Sequence, residues 1–214
     1  DLAGVSEKVR QLIDEHIRST GLNPKIAPID LLAVDFKKKL QEHKSKRAQA
    51  SEIEHAIKHH INVNLEKDEE YYKSLSSKLN KLIEKQGEHW DQLVQLLLDF
   101  RDNIESEREK QADDLGLTDT EFAFHNILSA EIVRIAKNEF IDEDTNDEII
   151  QVTKDLVAML DEATSIVDFF HKQDEVKRMK KLIKRRILET SFDDSDLRKV
   201  VMDRFMELAA VRFK

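Results

Sequence analysis

Cysteine is absent from this sequence, and glycine and proline are scarce, with four and two residues among 214. Without cysteine there are no disulfides, thiolate zinc sites or cysteine nucleophiles. The absence of cysteine also fits a reducing cytoplasm. Folds rich in turns, such as β-sandwiches, barrels and Rossmann units, draw on glycine and proline. We therefore predict an all-α fold, in which long amphipathic helices are joined by short connections.

The sequence also lacks the glycine spacing of a phosphate-binding loop and an apolar run long enough to span a membrane. The glycines stand far apart, so none of them gives Walker A or dinucleotide spacing (Gly4, Gly21, Gly87 and Gly116). The longest apolar runs, such as residues 96–98, are far shorter than the roughly 20 residues that a membrane span requires. We expect no membrane span and no N-terminal signal segment. The chain begins at Asp1 rather than at a methionine, and we expect it to be a piece of a longer protein.

Hydrophobic periodicity predicts a multi-helix bundle of roughly ten helices, packed as two helical sub-bundles. The predicted helical stretches are residues 6–21, 30–40, 46–65, 68–87, 88–114, 118–135, 149–160, 174–190 and 194–213. The stretch 118–135 forms one or two helices. Both prolines, Pro24 and Pro28, lie in a predicted irregular stretch. Gly116 interrupts the helical pattern, and Thr118 with Glu121 has the spacing of a capping box. We therefore predict two domains, residues 1–115 and 116–214.

A group of histidines is the richest cluster of candidate metal ligands. His55 and His59 are four residues apart, so a helix places both imidazoles on one face, as a two-histidine metal site requires. The zincin motif needs a glutamate directly after the first histidine, and Ala56 stands there. A metal-dependent helical hydrolase using these two histidines stays an open alternative. The interpretation we favour is that they bond to neighbouring helices or face water.

Carboxylates that superficially match nuclease and helicase motifs have a simpler explanation. The residue types of a nuclease site occur at Asp30, Asp35 and Lys37. Their spacing is too short for such a site, however, and the segment is predicted to be helical. The run 68–70 follows no apolar strand and is typical of a helix start, where acids complement the helix dipole. We therefore predict no catalytic, cofactor-binding or metal-binding residue in this chain.

The charge distribution is strongly uneven along the second half of the chain. The formal net charge is −9. Residues 139–162 hold nine acids against one lysine, whereas residues 171–190 hold eight Lys and Arg against three acids. The two segments can pair within the fold or stay solvated, or the basic one can form an interaction face for nucleic acid or an acidic partner.

The helix predicted near 174–190 separates apolar from basic residues. Its apolar side consists of Val176, Met179, Leu182, Ile183 and Ile187. The other side, spread over roughly 160° of the helical wheel, is called the basic face below and consists of Lys177, Arg178, Lys180, Lys181, Lys184 and Arg185. Because the overall charge opposes DNA binding, we favour a protein partner over DNA for this face.

Several strings of residues together resemble a known family. They include Asn-Pro-Lys-Ile-Ala-Pro-Ile-Asp-Leu-Leu at 23–32, Leu-Thr-Asp-Thr-Glu-Phe-Ala-Phe at 117–124, Ile-Val-Asp-Phe-Phe at 166–170 and the basic stretch 177–188. Shorter strings at 35–40, 44–57, 59–61, 68–79 and 90–93 agree with them. The sequence resembles the helical region after the motor in the R subunits of type I restriction enzymes. Phe169 is a departure, since the family usually carries Asp-Trp at that point.

This resemblance implies a function that composition does not give. The R subunit would be an ATP-dependent type I site-specific deoxyribonuclease that uses ATP and Mg²⁺, with its nuclease and motor sites upstream of this region. The implied role of the present chain is assembly with the methyltransferase (modification) and specificity subunits, which meet double-stranded DNA as a complex in the bacterial cytoplasm. The alternative is a free-standing helical adaptor or scaffold without enzymatic activity. Motor motifs upstream in the coding sequence would distinguish the two.

Overall fold

All regular secondary structure in the described residues is helical. The computed structural model describes residues 31–43, 45–87, 89–137 and 141–213. The eight α-helices there are α1 (Phe36–Leu40), α2 (Lys46–Asn64), α3 (Glu69–Gln86), α4 (Trp90–Asp114), α5 (Asp119–Ala136), α6 (Glu143–Thr164), α7 (Gln173–Leu188) and α8 (Ser195–Arg212). Two 3₁₀-helices cover Leu65–Lys67 and Phe169–His171. The all-α prediction is confirmed for these ranges, whereas the count of ten helices and the two sub-bundles stay predictions.

The predicted helix at 6–21 and the stretch with both prolines lie outside the described residues, as does Asp30. Among the described helices, none combines the length and the apolar character that crossing a lipid bilayer requires.

The start of α5 follows directly from its sequence. Glu121 N donates to Thr118 Oγ1 at 3.2 Å, and Thr118 N donates to Glu121 Oε2 at 2.7 Å, which together form the predicted capping box. Gly116 has a φ of +62°, a conformation that residues with a Cβ rarely adopt, and it ends the preceding helix. Local chemistry thus sets this break, while the predicted domain division at 115 and 116 stays a prediction.

The described chain forms two compact units, and the first contains residues 31–66 and 72–108. Its core consists of fully buried side chains from α1 to α4, including Phe36, Ile53, Ile57, Leu79, Leu97 and Ile104. Arg101 fixes the segment before α1, because its Nε donates to the carbonyl oxygen of Leu31 at 2.7 Å. The same guanidinium lies 4.9 Å from the centroid of the Phe36 ring.

The second unit contains residues 67–71 and 109–213. Helices α5 to α8 pack around one apolar core, in which Phe124 and Phe205 meet edge to face with ring centroids 4.9 Å apart. Phe169 is also buried in this core, and its ring meets that of Phe170 edge to face, with centroids 5.1 Å apart. The core contacts of α7 fix which of its faces points outward.

A cluster of charged residues accompanies this core and is called the ionic cluster below. Arg204 donates to Glu131, Glu69 and Glu70 with N–O distances of 2.6, 2.8 and 2.6 Å. Only 1% of the Glu131 side chain and 14% of the Arg204 side chain are exposed. Burial alone would lower the pKa of Arg204, but the hydrogen bond with Glu131 and the neighbouring carboxylates raise it above its ordinary value. Arg204 therefore stays charged and neutralises a nearly buried carboxylate.

Candidate functional site

Helix α7 presents its apolar side to the core of the second unit. Met179, Ile183 and Ile187 are fully buried, and Val176 and Leu182 pack against the same core. The helix begins with two acids and ends with two arginines, which complement its dipole. Because the apolar side faces inward, the opposite side of the helix faces solvent.

Five of the six members of the basic face are exposed. The side chains of Lys177 and Arg178 are each 68% exposed and that of Arg185 is 75% exposed, and Lys181 and Lys184 are exposed as well. Counted at 100° per residue, these five cover an arc of roughly 120°. They form a continuous cationic strip along the helix.

Lys180 differs from the other members of the basic face. It is half-buried, and its Nζ lies 3.3 Å from Asp203 Oδ1 on α8. On the helical wheel Lys180 lies at one end of the roughly 160° basic face, next to the buried apolar side. Lys180 thus joins α7 to α8, which the hydrophobic pattern alone did not indicate.

The exposed members have few competing partners. Lys177, Arg178 and Arg185 form ion pairs with acids of the same chain segment, at 3.8, 3.7 and 3.2 Å. Pairs of this exposed type contribute little to stability and exchange readily with water. Within the described ranges, Lys181 and Lys184 have no ion-pair partner. The strip is therefore available to an anionic partner.

Pairing between the acidic and basic segments occurs beside the basic face. Arg186, which is not a member, lies 2.9 Å from Asp155 of α6. Glu148 of α6 accepts the backbone N–H of Ser191 at 3.2 Å. Pairing with the acidic segment therefore accounts for part of the opposite charge of the two segments, but in the described residues it does not involve the five exposed cations.

One exposed apolar residue lies in the same strip and was not singled out from the sequence. Leu188 ends α7 and is 57% exposed. At 100° per residue it falls between Lys177 and Lys181, near the middle of the arc. The signal was present in the sequence as the spacing i, i+3, i+4, i+7 of Lys181, Lys184, Arg185 and Leu188.

The histidine cluster lies on α2 in the first unit. His59 is exposed and His55 is half-buried, whereas His60 Nε2 lies 3.1 Å from Glu105 Oε1 of α4. The His60 ring also meets Tyr72 edge to face, with centroids 6.0 Å apart. Across the described ranges, no group of three or more His, Asp or Glu residues is arranged to hold a metal ion.

The carboxylates that superficially match nuclease and helicase motifs bind other residues of their own unit. Asp35 pairs with Lys39 at 2.9 Å on one helical turn, and this hydrogen bond lowers the pKa of its carboxyl group. Asp68 accepts the backbone N–H of Tyr71 at 3.3 Å, so it caps α3 at the predicted helix start. It also accepts from the Asn126 amide at 3.2 Å. These contacts hold helices rather than forming a shared carboxylate site.

Comparison with curated proteins and with solved structures gives no match for this chain. A family model described as "Type I restriction enzyme HindI endonuclease subunit-like, C-terminal" matches residues 3–211. This match confirms the resemblance found in the sequence strings. Since the match extends over nearly the whole length, the chain belongs to the family of C-terminal regions of type I restriction enzyme HindI endonuclease subunit-like proteins.

Proposed function

We propose that this chain is the assembly region of a type I restriction enzyme R subunit. In this role it helps to couple the ATP-dependent subunit that translocates and cleaves DNA to the methyltransferase core. Family membership supports the restriction context. ATP and Mg²⁺ would act in other parts of the subunit, while the helical chain described here contributes binding surface.

The observation that carries the proposal is the exposed strip of cations on α7. A helix whose apolar side is fully packed needs no further contact to be stable. Five exposed cations on its other side, concentrated within a third of the wheel, instead favour an electrostatic interaction. The proposed acceptor is an acidic patch on the methyltransferase or specificity subunits.

DNA backbone is the competing acceptor for the same strip. Phosphates attract lysine and arginine without sequence preference. The formal charge of −9 on the chain, however, repels a polyanion at long range. An acidic protein patch, which carries fewer charges than a duplex, suffers less from this repulsion. We therefore place the strip against protein and leave the DNA contacts to the complex as a whole.

Charge reversal in the complete R subunit tests the proposal. The variant carries Lys177→Glu, Lys181→Glu and Lys184→Glu, and its affinity for the purified methyltransferase complex is measured at low and high salt. We expect the reversed variant to bind at least about tenfold more weakly at low salt, a change of roughly 1.4 kcal/mol. Affinity of the unaltered subunit should fall as salt rises, because counter-ions screen the contact.

A matched control keeps the change in net charge constant. Lys38, Lys81 and Lys110 are exposed lysines outside α7, and their reversal to glutamate adds the same negative charge. This control should assemble normally, and both variants should melt like the unaltered protein, since exposed charges contribute little to stability. If the α7 variant assembles, translocates and cleaves as the control does, the basic face is only a solubilising surface and the proposal fails.

A further inference from the structure

Leu188 occupies a position where a polar or cationic residue would be the better surface residue. It is the last residue of α7 and is 57% exposed. Cations near a helix C-terminus interact favourably with the helix dipole, and Arg185 and Arg186 in the last turn follow this rule. A leucine at the end of the same strip gains nothing from the dipole and leaves apolar area in water.

The place of Leu188 on the wheel relates it to the cations rather than to the core. The buried side of α7 is centred on Ile183, and Leu188 lies roughly 140° away from it. Lys177 and Lys181 lie roughly 20° to either side of Leu188, and eleven residues, or about 16 Å of helix, separate Lys177 from Leu188. The strip is therefore a row of cations that ends in one apolar contact.

We propose that the partner on this strip is a protein surface that combines carboxylates with an apolar pocket, and that Leu188 is the residue that enters the pocket. This inference rests on the proposed function and specifies its partner. Protein interfaces commonly combine a buried apolar centre with a polar and charged rim. A phosphate backbone offers charge but no pocket for a leucine, because side chains that contact phosphates do so with hydrogen bonds and charge.

Substitution of Leu188 by lysine separates a protein partner from a nucleic acid by the sign of the effect. The added cation suits the helix terminus, so α7 should stay folded. Against an apolar pocket, Leu188→Lys buries a charge and should weaken binding to the purified methyltransferase complex by roughly tenfold or more. Against DNA, the same variant enlarges the cationic strip and should strengthen binding.

Val167 provides the matched control. It is 77% exposed and lies in the same unit, outside α7. We expect Val167→Lys to leave affinity unchanged. Leu188→Ala should weaken binding roughly fivefold, since about half of the side chain remains to be covered, and its effect should be the same at low and high salt. The loss caused by Lys181→Glu should instead shrink as salt rises.

The outcomes distinguish this inference from the proposed function. If reversal of the lysines weakens assembly and both Leu188 variants bind normally, the strip docks a partner but Leu188 is no anchor. If none of the variants affects assembly, the docking role of α7 fails as a whole. If Leu188→Lys tightens binding of the complex to a labelled duplex and leaves assembly intact, the strip is a nucleic-acid surface and the inference is overturned.

Discussion

Replacing Arg204 by methionine tests how much the ionic cluster contributes to the stability of the second unit. Methionine keeps most of the aliphatic volume and helix propensity of arginine but removes the charge and all of its hydrogen bonds. Three carboxylates then lose a shared partner. The critical one is Glu131, because 1% of its side chain is exposed and water cannot replace the guanidinium.

The expected loss can be worked from the contacts. Removing one partner of a buried ion pair typically costs about 3–5 kcal/mol, because the other charge stays buried. Arg134 remains beside Glu131, with an N–O distance of 2.9 Å, but its side chain is 58% exposed and compensates only in part. Glu69 and Glu70 are 29% and 20% exposed and can turn toward water. We expect Arg204→Met to lower the free energy of unfolding by about 3 kcal/mol, a large share of the roughly 5–15 kcal/mol of a typical domain.

Urea unfolding followed by circular dichroism measures this loss, with the fluorescence of Trp90 as a second probe. Trp90 is the single tryptophan and belongs to the first unit, so a transition seen only by circular dichroism reports the second unit. The control is Arg185→Met, which removes one exposed ion pair and should cost less than about 1 kcal/mol.

A double variant isolates the buried charge. Arg204→Met with Glu131→Met removes both charges, so the loss should be smaller than for Arg204→Met alone. If Arg204→Met costs no more than Arg185→Met, the ionic cluster does not stabilise the fold. The single variant Glu131→Met completes the cycle. If the double variant loses as much stability as Arg204→Met and Glu131→Met lose together, the pair is not coupled and the reasoning from burial is wrong.

Further predictions concern a cap, two titrating groups and catalysis. Thr118→Ala should cost about 1 kcal/mol in urea denaturation, whereas Thr118→Ser should cost little. Burial lowers the pKa of His125; the unfolded state therefore binds a proton more readily, so stability should fall as the pH drops below about 6.5, and His125→Leu should remove this part of the pH dependence. Burial also raises the pKa of Glu207 above the ordinary value of 4.5. The folded state therefore loses stability as the pH rises above 4.5, and Glu207→Gln should raise the melting temperature more at pH 7 than at pH 4. The purified chain should neither hydrolyse ATP nor nick supercoiled DNA; turnover that disappears when His55 or His59 is replaced would contradict this.

Local chemistry accounts for the parts of the fold that could be predicted. The capping box at Thr118 and the left-handed Gly116 act within a few residues of sequence, so their pattern is legible without a structure. The buried side of α7 follows from helical periodicity, because Met179 and Ile183 recur at the spacing of one face. The predicted ends of α2, α3 and α4 agree with the observed helices to within about two residues, which is the usual scatter at helix ends.

Contacts between distant residues could not be predicted from such patterns. Glu69 and Glu70 have the sequence signature of acids at a helix start, and nothing local indicates that they bind Arg204, more than 130 residues away. His60 follows His59 directly in the sequence, but nothing local indicates that its ring pairs with Glu105 on another helix. A helical wheel does not identify the partner of a charged residue, because it does not give the positions of the neighbouring helices.

For the same reason, helical periodicity groups Lys180 with the exposed cations of α7. Relative to Ile183 at the centre of the buried side, Lys180 and Arg186 lie roughly 60° to either side. At these borders a long side chain can reach the neighbouring helix, and each does so, to Asp203 of α8 and Asp155 of α6 respectively. Periodicity identifies such border positions but does not say whether an acid stands opposite them.

These two border pairs have a consequence for the remaining cations of α7. One pair ties the helix to α8 and the other to α6, on opposite sides of its buried stripe, so both resist rotation of α7 about its axis. The direction of the exposed strip is then fixed before any partner arrives. A partner that binds a fixed row of cations does not have to orient the helix and needs to order only the side chains themselves, which lowers the entropic cost of association. If the strip docks a partner as proposed, the two paired cations would support binding without touching that partner. Replacing Lys180 or Arg186 by methionine should then weaken assembly less than reversing Lys181 or Lys184 does.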